Sequence, residues 1–69
     1  MASFEHVKVG DVVTRMLAGT PMKLNVVGVT ETLIDCGWKF DRKTGMEVDE
    51  DLGWGPEFGI TGSYLRADR

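Results

Sequence analysis

The sequence predicts an all-β domain, and three observations carry that prediction. Nine glycines stand at positions 10, 19, 28, 37, 45, 53, 55, 59 and 62, the first four spaced nine residues apart. Each glycine inside a helix costs about 0.5–1 kcal/mol relative to alanine, so this spacing excludes a long helix, and it is too wide for the every-third-residue repeat of collagen. Between the glycines, short runs rich in β-branched and aromatic residues alternate apolar with polar positions. No run longer than about ten residues keeps a 3.6-residue period.

The elements follow in order. Residues 1–6 read as an N-terminal arm. Val7–Val9 leads to the turn-like pair Gly10-Asp11, whose carboxylate can accept from nearby backbone. Val12–Met16 is the first clear strand, and Ala18-Gly19-Thr20-Pro21 breaks it. Met22–Val29 is the second strand. Met22, Leu24 and Val26 share one face, then the apolar set shifts to Val27 and Val29 around Gly28. A glycine at such a switch marks a bulge or sharp bend, which a small barrel needs in order to close. Leu33–Phe40 reads as one half-buried strand, with Ile34, Cys36, Trp38 and Phe40 on the core side. Asp41-Arg42-Lys43-Thr44-Gly45 suits a turn with a glycine bulge. Met46 and Val48 then form a return strand with Glu47 and Asp49 pointing outward. Residues 50–59, containing Gly53-Trp54-Gly55-Pro56, read as a flexible loop. Ile60–Leu65 is a last strand, and 66–69 a frayed charged tail.

Five to six short antiparallel strands in 69 residues predict one domain, a small SH3-like β-barrel or roll. An OB-type barrel needs more chain and a helix, and a twisted sheet that dimerises is the alternative. A domain of this size buries only about 60 % of its unfolded surface. Cys36 is the only cysteine and His6 the only histidine, which excludes an internal disulfide and a Cys₂His₂ or Cys₄ zinc site. Oligomerisation is the remaining means of reinforcement, so a homo-oligomer is expected.

Val9-Gly10-Asp11-Val12-Val13, Gly19, Pro21-Met22, Val26, Val29, Cys36 and Trp38 resemble the YodC-like small bacterial proteins. Those carry a Gly-Asp-x-Val opening, a Gly-Gly-Pro-x-Met segment and a Cys-x-Trp strand. The likeness covers about the first forty residues, implies the small-barrel fold, and brings no biochemical activity. After Phe40 the sequence departs from that pattern. The same opening occurs in other SH3-like barrels, among them the plasmid-borne dihydrofolate reductase, a tetramer whose pore binds folate and NADPH. The Val-Gln-Ile-Tyr segment of that pore has no counterpart here, so its activity is not carried over. A phage, plasmid or integron setting for the gene would point to a mobile-element accessory role.

Net charge is −3, with five carboxylates and no base between residues 47 and 57. Arg15, Lys23, Lys39, Arg42 and Lys43 are the cations available for a basic patch. Trp38 and Phe40 fall on the opposite face from Lys39, whereas base stacking needs aromatics and cations on one surface, so nucleic acid is disfavoured. Asp49, Glu50 and Asp51, with Asp41 across the hairpin, lack the spacing of an EF-hand and read as a solvated edge; no metal or cofactor is expected. Cys36, on the apolar face and far in sequence from His6, reads as a structural thiol. Trp54 has two readings: a plug that completes the core, or an exposed anchor for a partner.

These features predict a non-enzymatic cytoplasmic binding module that meets a protein partner or itself. Trp54, Phe58, Tyr64 and Leu52 are the candidate contact residues. One alternative is a homo-oligomer that binds a small ligand or nucleotide at a subunit interface; another is a weak nucleic-acid binder. No run is long and apolar enough for a membrane helix, and residues 1–6 do not read as a secretory signal.

Overall fold

Six short strands build two three-stranded antiparallel sheets in the computed structural model, which describes residues 4–66. Val12–Leu17 (β1), Thr20–Asn25 (β2) and Ser63–Arg66 (β6) form the first sheet in the order β2-β1-β6. Gly28–Val29 (β3), Leu33–Asp35 (β4) and Lys39–Asp41 (β5) form the second in the order β3-β4-β5. No helix occurs among the described residues. Residues 1–3 of the expected arm and 67–69 of the expected tail lie outside the described residues.

β1 and β2 are joined by the two-residue turn Ala18-Gly19, in which both residues have positive φ (52° and 83°). This left-handed geometry matches the twist of a hairpin, but it brings the alanine Cβ close to its own carbonyl. Beyond Asn25 the chain changes partners. The amide of Val26 donates to the carbonyl of Asp11, just before β1, and the amide of Val27 donates to that of Asp35 in β4 of the second sheet. The bend therefore falls at Val26-Val27, just before Gly28. Val26 enters the core at 2 % exposure while Val27 is turned out to solvent, against the expectation that Val27 joins the apolar set.

The single strand expected over Leu33–Phe40 is two strands folded back on each other. The Asp35 carboxylate accepts from the Gly37 amide at 2.9 Å, and the Cys36 amide donates to the Trp38 carbonyl. This side-chain-capped turn reverses the chain between β4 and β5. Ile34, Cys36 and Phe40 stay buried, while Trp38 is left 43 % exposed at the turn. At residues 41–45 the Asp41 carboxylate accepts from the amides of Lys43 and Thr44 and from the Thr44 hydroxyl. Gly45 closes that turn at φ +81°, and a Cβ there would stand 2.6 Å from the Phe4 ring.

The core is Phe4, Val7, Val13, Val26, Ile34, Cys36, Phe40 and Leu65. Phe4 lies in the segment read as an arm and Val7 just after it, and both are held on the core by Arg42. Its guanidinium donates to the carbonyls of Phe4, Glu5, Val7 and Thr30. One charged fork thus secures the N-terminal segment and the β3–β4 turn against the second sheet.

Replacing Ala18 with Asn or Gly, both tolerant of left-handed backbone, is expected to stabilise the domain by about 0.5–1 kcal/mol. The urea midpoint should rise with the slope of the transition unchanged.

Candidate functional site

The strand alternation of β1 sends Val13, Arg15 and Leu17 to one side and Val12, Thr14 and Met16 to the other. Val13 is core, so Arg15 points inward, and it is 5 % exposed. Its Nη2 donates to Glu47 Oε1 at 2.9 Å and its Nε to Ser63 Oγ at 2.7 Å. Glu47 and Ser63 are themselves 3 % and 0 % exposed. The face of the guanidinium lies 4.3 Å from the centroid of the Trp38 ring, a cation–π distance. The Thr61 hydroxyl donates to the Ser63 carbonyl at 2.7 Å, with the Glu47 carbonyl 3.2 Å away. No buried side-chain polar atom among the described residues lacks a partner. A buried ion pair whose members are also hydrogen-bonded fixes the positions of the segments that carry them.

Two expectations are corrected here. Glu47 points inward, not outward, because it must meet Arg15. Arg15 is buried in its ion pair, which removes it from the five cations available for a basic patch, and the half-buried Arg42 spends its guanidinium on backbone carbonyls. The alternation Val13-x-Arg15-x-Leu17 already places Arg15 on the core face. Nothing in the Met46-Glu47-Val48 pattern announces that Glu47 follows it.

Residues 50–59, expected to be a flexible loop, form with the flanking Asp49 and Ile60 two consecutive tight hairpins. Asp49 and Trp54 exchange both backbone hydrogen bonds, and the Asp49 carboxylate accepts from the Asp51 and Leu52 amides. In the second, the Gly55 amide donates to Ile60, and the amides of Phe58 and Gly59 donate back to the Gly55 carbonyl. The structure places the four predicted contact residues as follows. Leu52 (56 % exposed) stands on the first hairpin and Phe58 (49 %) on the second, with Ile60 also exposed at its end. Trp54 is half-buried and outside the core cluster, its indole laid on Gly62, where a Cβ would come within 2.6 Å of the ring. Tyr64 is exposed on the outer face of β6.

That outer face has a second feature. Pro21, Met16 and Tyr64 stand opposite one another across β2, β1 and β6, and Met46 is bridged to Tyr64. The neighbouring row is Lys23, Thr14 and Arg66, with the Lys23 ammonium donating to the Thr14 hydroxyl.

No group of three or more His, Cys, Asp and Glu side chains converges among the described residues. The Asp41 and Asp49 carboxylates are engaged by the amides of their own turns. A shallow depression of about 220 Å³ is lined by Glu5, Glu31, Arg42 and Lys43, a mixed-charge set whose arginine is already tied to backbone. Burial, and after it the Asp35 carboxylate, pushes the Cys36 thiol above its ordinary range. No described helix is long and apolar enough to cross a membrane.

Removing one member of the ion pair, as in Arg15→Ala, is expected to cost about 3–5 kcal/mol, because Glu47 would be left buried and unpaired. Arg15→Met with Glu47→Leu should fall within about 1 kcal/mol of the wild type or exceed it; chemical denaturation of the three proteins decides this. The folded Cys36 thiol keeps its proton to higher pH than an unfolded thiol, which titrates near about 8.5. Its contribution to stability is therefore complete below that pH and is lost as the pH rises through the folded value. The unfolding free energy should fall more steeply above about pH 8.5 in the wild type than in Cys36→Ala.

Compared with known proteins, the chain matches no protein-family model, no curated protein and no solved structure.

Proposed function

We propose that this chain is a non-enzymatic, cytoplasmic binding module that acts by protein–protein contact or self-association, on a barrel-like roll of the SH3 type. The roll is supported by the way the two sheets are joined: the bent chain itself leads from β2 to β3, and backbone hydrogen bonds of residues 46–48 to β5 and β6 link the sheets on the other side. The principal extents of 28, 26 and 25 Å are nearly equal, as two sheets wrapped around one core require.

The observation that carries the binding reading is the presentation of Leu52, Phe58 and Ile60. These large apolar side chains are held in solvent on hydrogen-bonded hairpins. Rigid apolar anchors cost less ordering on association than the same residues on a mobile loop. Leu52→Ala with Phe58→Ala tests it. Both sites are exposed, so the urea midpoint should move by less than about 0.5 kcal/mol equivalent. Capture of partner chains on immobilised protein should be lost. Capture equal to that of the wild type would count decisively against the reading.

A further inference from the structure

We infer that the partner is a second copy of this chain, docked by a surface whose two halves carry opposite charge. The inference rests on the binding reading above and names its partner. One half is the pair of hairpins over residues 49–60. There Leu52, Phe58 and Ile60 are exposed beside the exposed carboxylates of Glu50, Asp51 and Glu57, with no base between residues 47 and 57. The other half is the outer face of β2, β1 and β6. There the apolar row Pro21–Met16–Tyr64 runs beside Lys23 and Arg66. Trp54 joins the halves. It belongs to the first hairpin, and its indole covers Gly62, two residues before Tyr64.

A surface with an acidic apolar half next to a basic apolar half is complementary to itself after a two-fold rotation. The hairpins of one copy then meet the sheet face of the other, and the reverse, in one isologous contact. Burying Leu52 and Phe58 against Met16 and Tyr64 supplies the apolar gain. The charges select this register, because hairpin against hairpin would bring carboxylates together. Lys23 is held in place by its hydrogen bond to Thr14, so its ammonium enters the contact pre-positioned.

Sedimentation equilibrium on the full chain at low salt tests the inference, with two charge-reversal variants at exposed positions: Lys23→Glu, and Glu50→Lys with Asp51→Lys. The wild type should dimerise in the micromolar range and weaken as salt is raised. Each variant alone should weaken by about tenfold or more, since its two contacts become repulsive. An equimolar mixture of the two should recover a heterodimer within about threefold of the wild-type affinity, because both contacts in the mixed pair are again opposite in charge. A wild type that stays monomeric at several hundred micromolar (on the order of the weakest physiological contacts), or a mixture no tighter than its components, overturns the second-copy proposal and leaves the binding reading standing. A dimer that Leu52→Ala with Phe58→Ala does not weaken overturns both.

Discussion

The ion pair of Arg15 with Glu47 is the constraint around which the two sheets are arranged. Arg15 sits on β1, the central strand of the first sheet. Glu47 sits on the segment that bridges to Phe40 of the second sheet and donates its amide to Ser63 of the first. A guanidinium offers donors in a fixed planar fork, so meeting Ser63 with Nε and Glu47 with Nη2 at once sets the angle as well as the distance between these elements. A lysine could reach either partner and would specify neither angle. Trp38 closes the remaining face of the guanidinium, which accounts for a tryptophan left half outside at the β4–β5 turn.

A second arginine ties other segments together. Arg42 binds four backbone carbonyls and brings Phe4 and Val7 onto the core. In a domain whose largest fully buried side chains are Phe40, Ile34 and Val26, two further apolar side chains are a substantial share of the interior. Neither arginine substitutes for hydrophobic burial. Each fixes the relative position of the segments that it bonds.

Much of the secondary structure was legible because turn chemistry is local. Asp41 and Gly45 announced their hairpin, and the β-branched run of β1 announced its strand. The miss at Leu33–Phe40 has a specific cause. Alternation of Ile34, Cys36, Trp38 and Phe40 counts residues and does not register that Asp35 can cap the Gly37 amide and reverse the chain. The difference at residues 50–59 has a related cause. Glycine and proline advertised freedom, while the Asp49 carboxylate with the Asp49–Trp54 bonds, and then the bonds of Gly55 with Phe58, Gly59 and Ile60, converted that freedom into two defined hairpins. Of the candidate site, Leu52, Phe58 and Tyr64 could be named from the sequence, but the rows they share could not. Cross-strand neighbours such as Met16 and Tyr64 are set by register, which forms only when distant strands meet.

By itself the sequence determined the all-β class, most of the turns, a structural thiol at Cys36 and an acidic stretch with apolar residues after Met46. These follow from short-range properties: side-chain alternation, left-handed backbone at glycine, and charge composition. The tertiary structure decided that Glu47 turns inward, that Trp54 lies on Gly62, and that the chain changes partners at Val26-Val27. Those outcomes depend on groups well separated in sequence, by 32 residues for Glu47 and Arg15, that become neighbours only once the fold exists. For Glu47, the desolvation of Arg15 on the core face of β1 demanded a buried carboxylate, and this long-range electrostatic requirement overrode the local alternation that would have placed Glu47 in water.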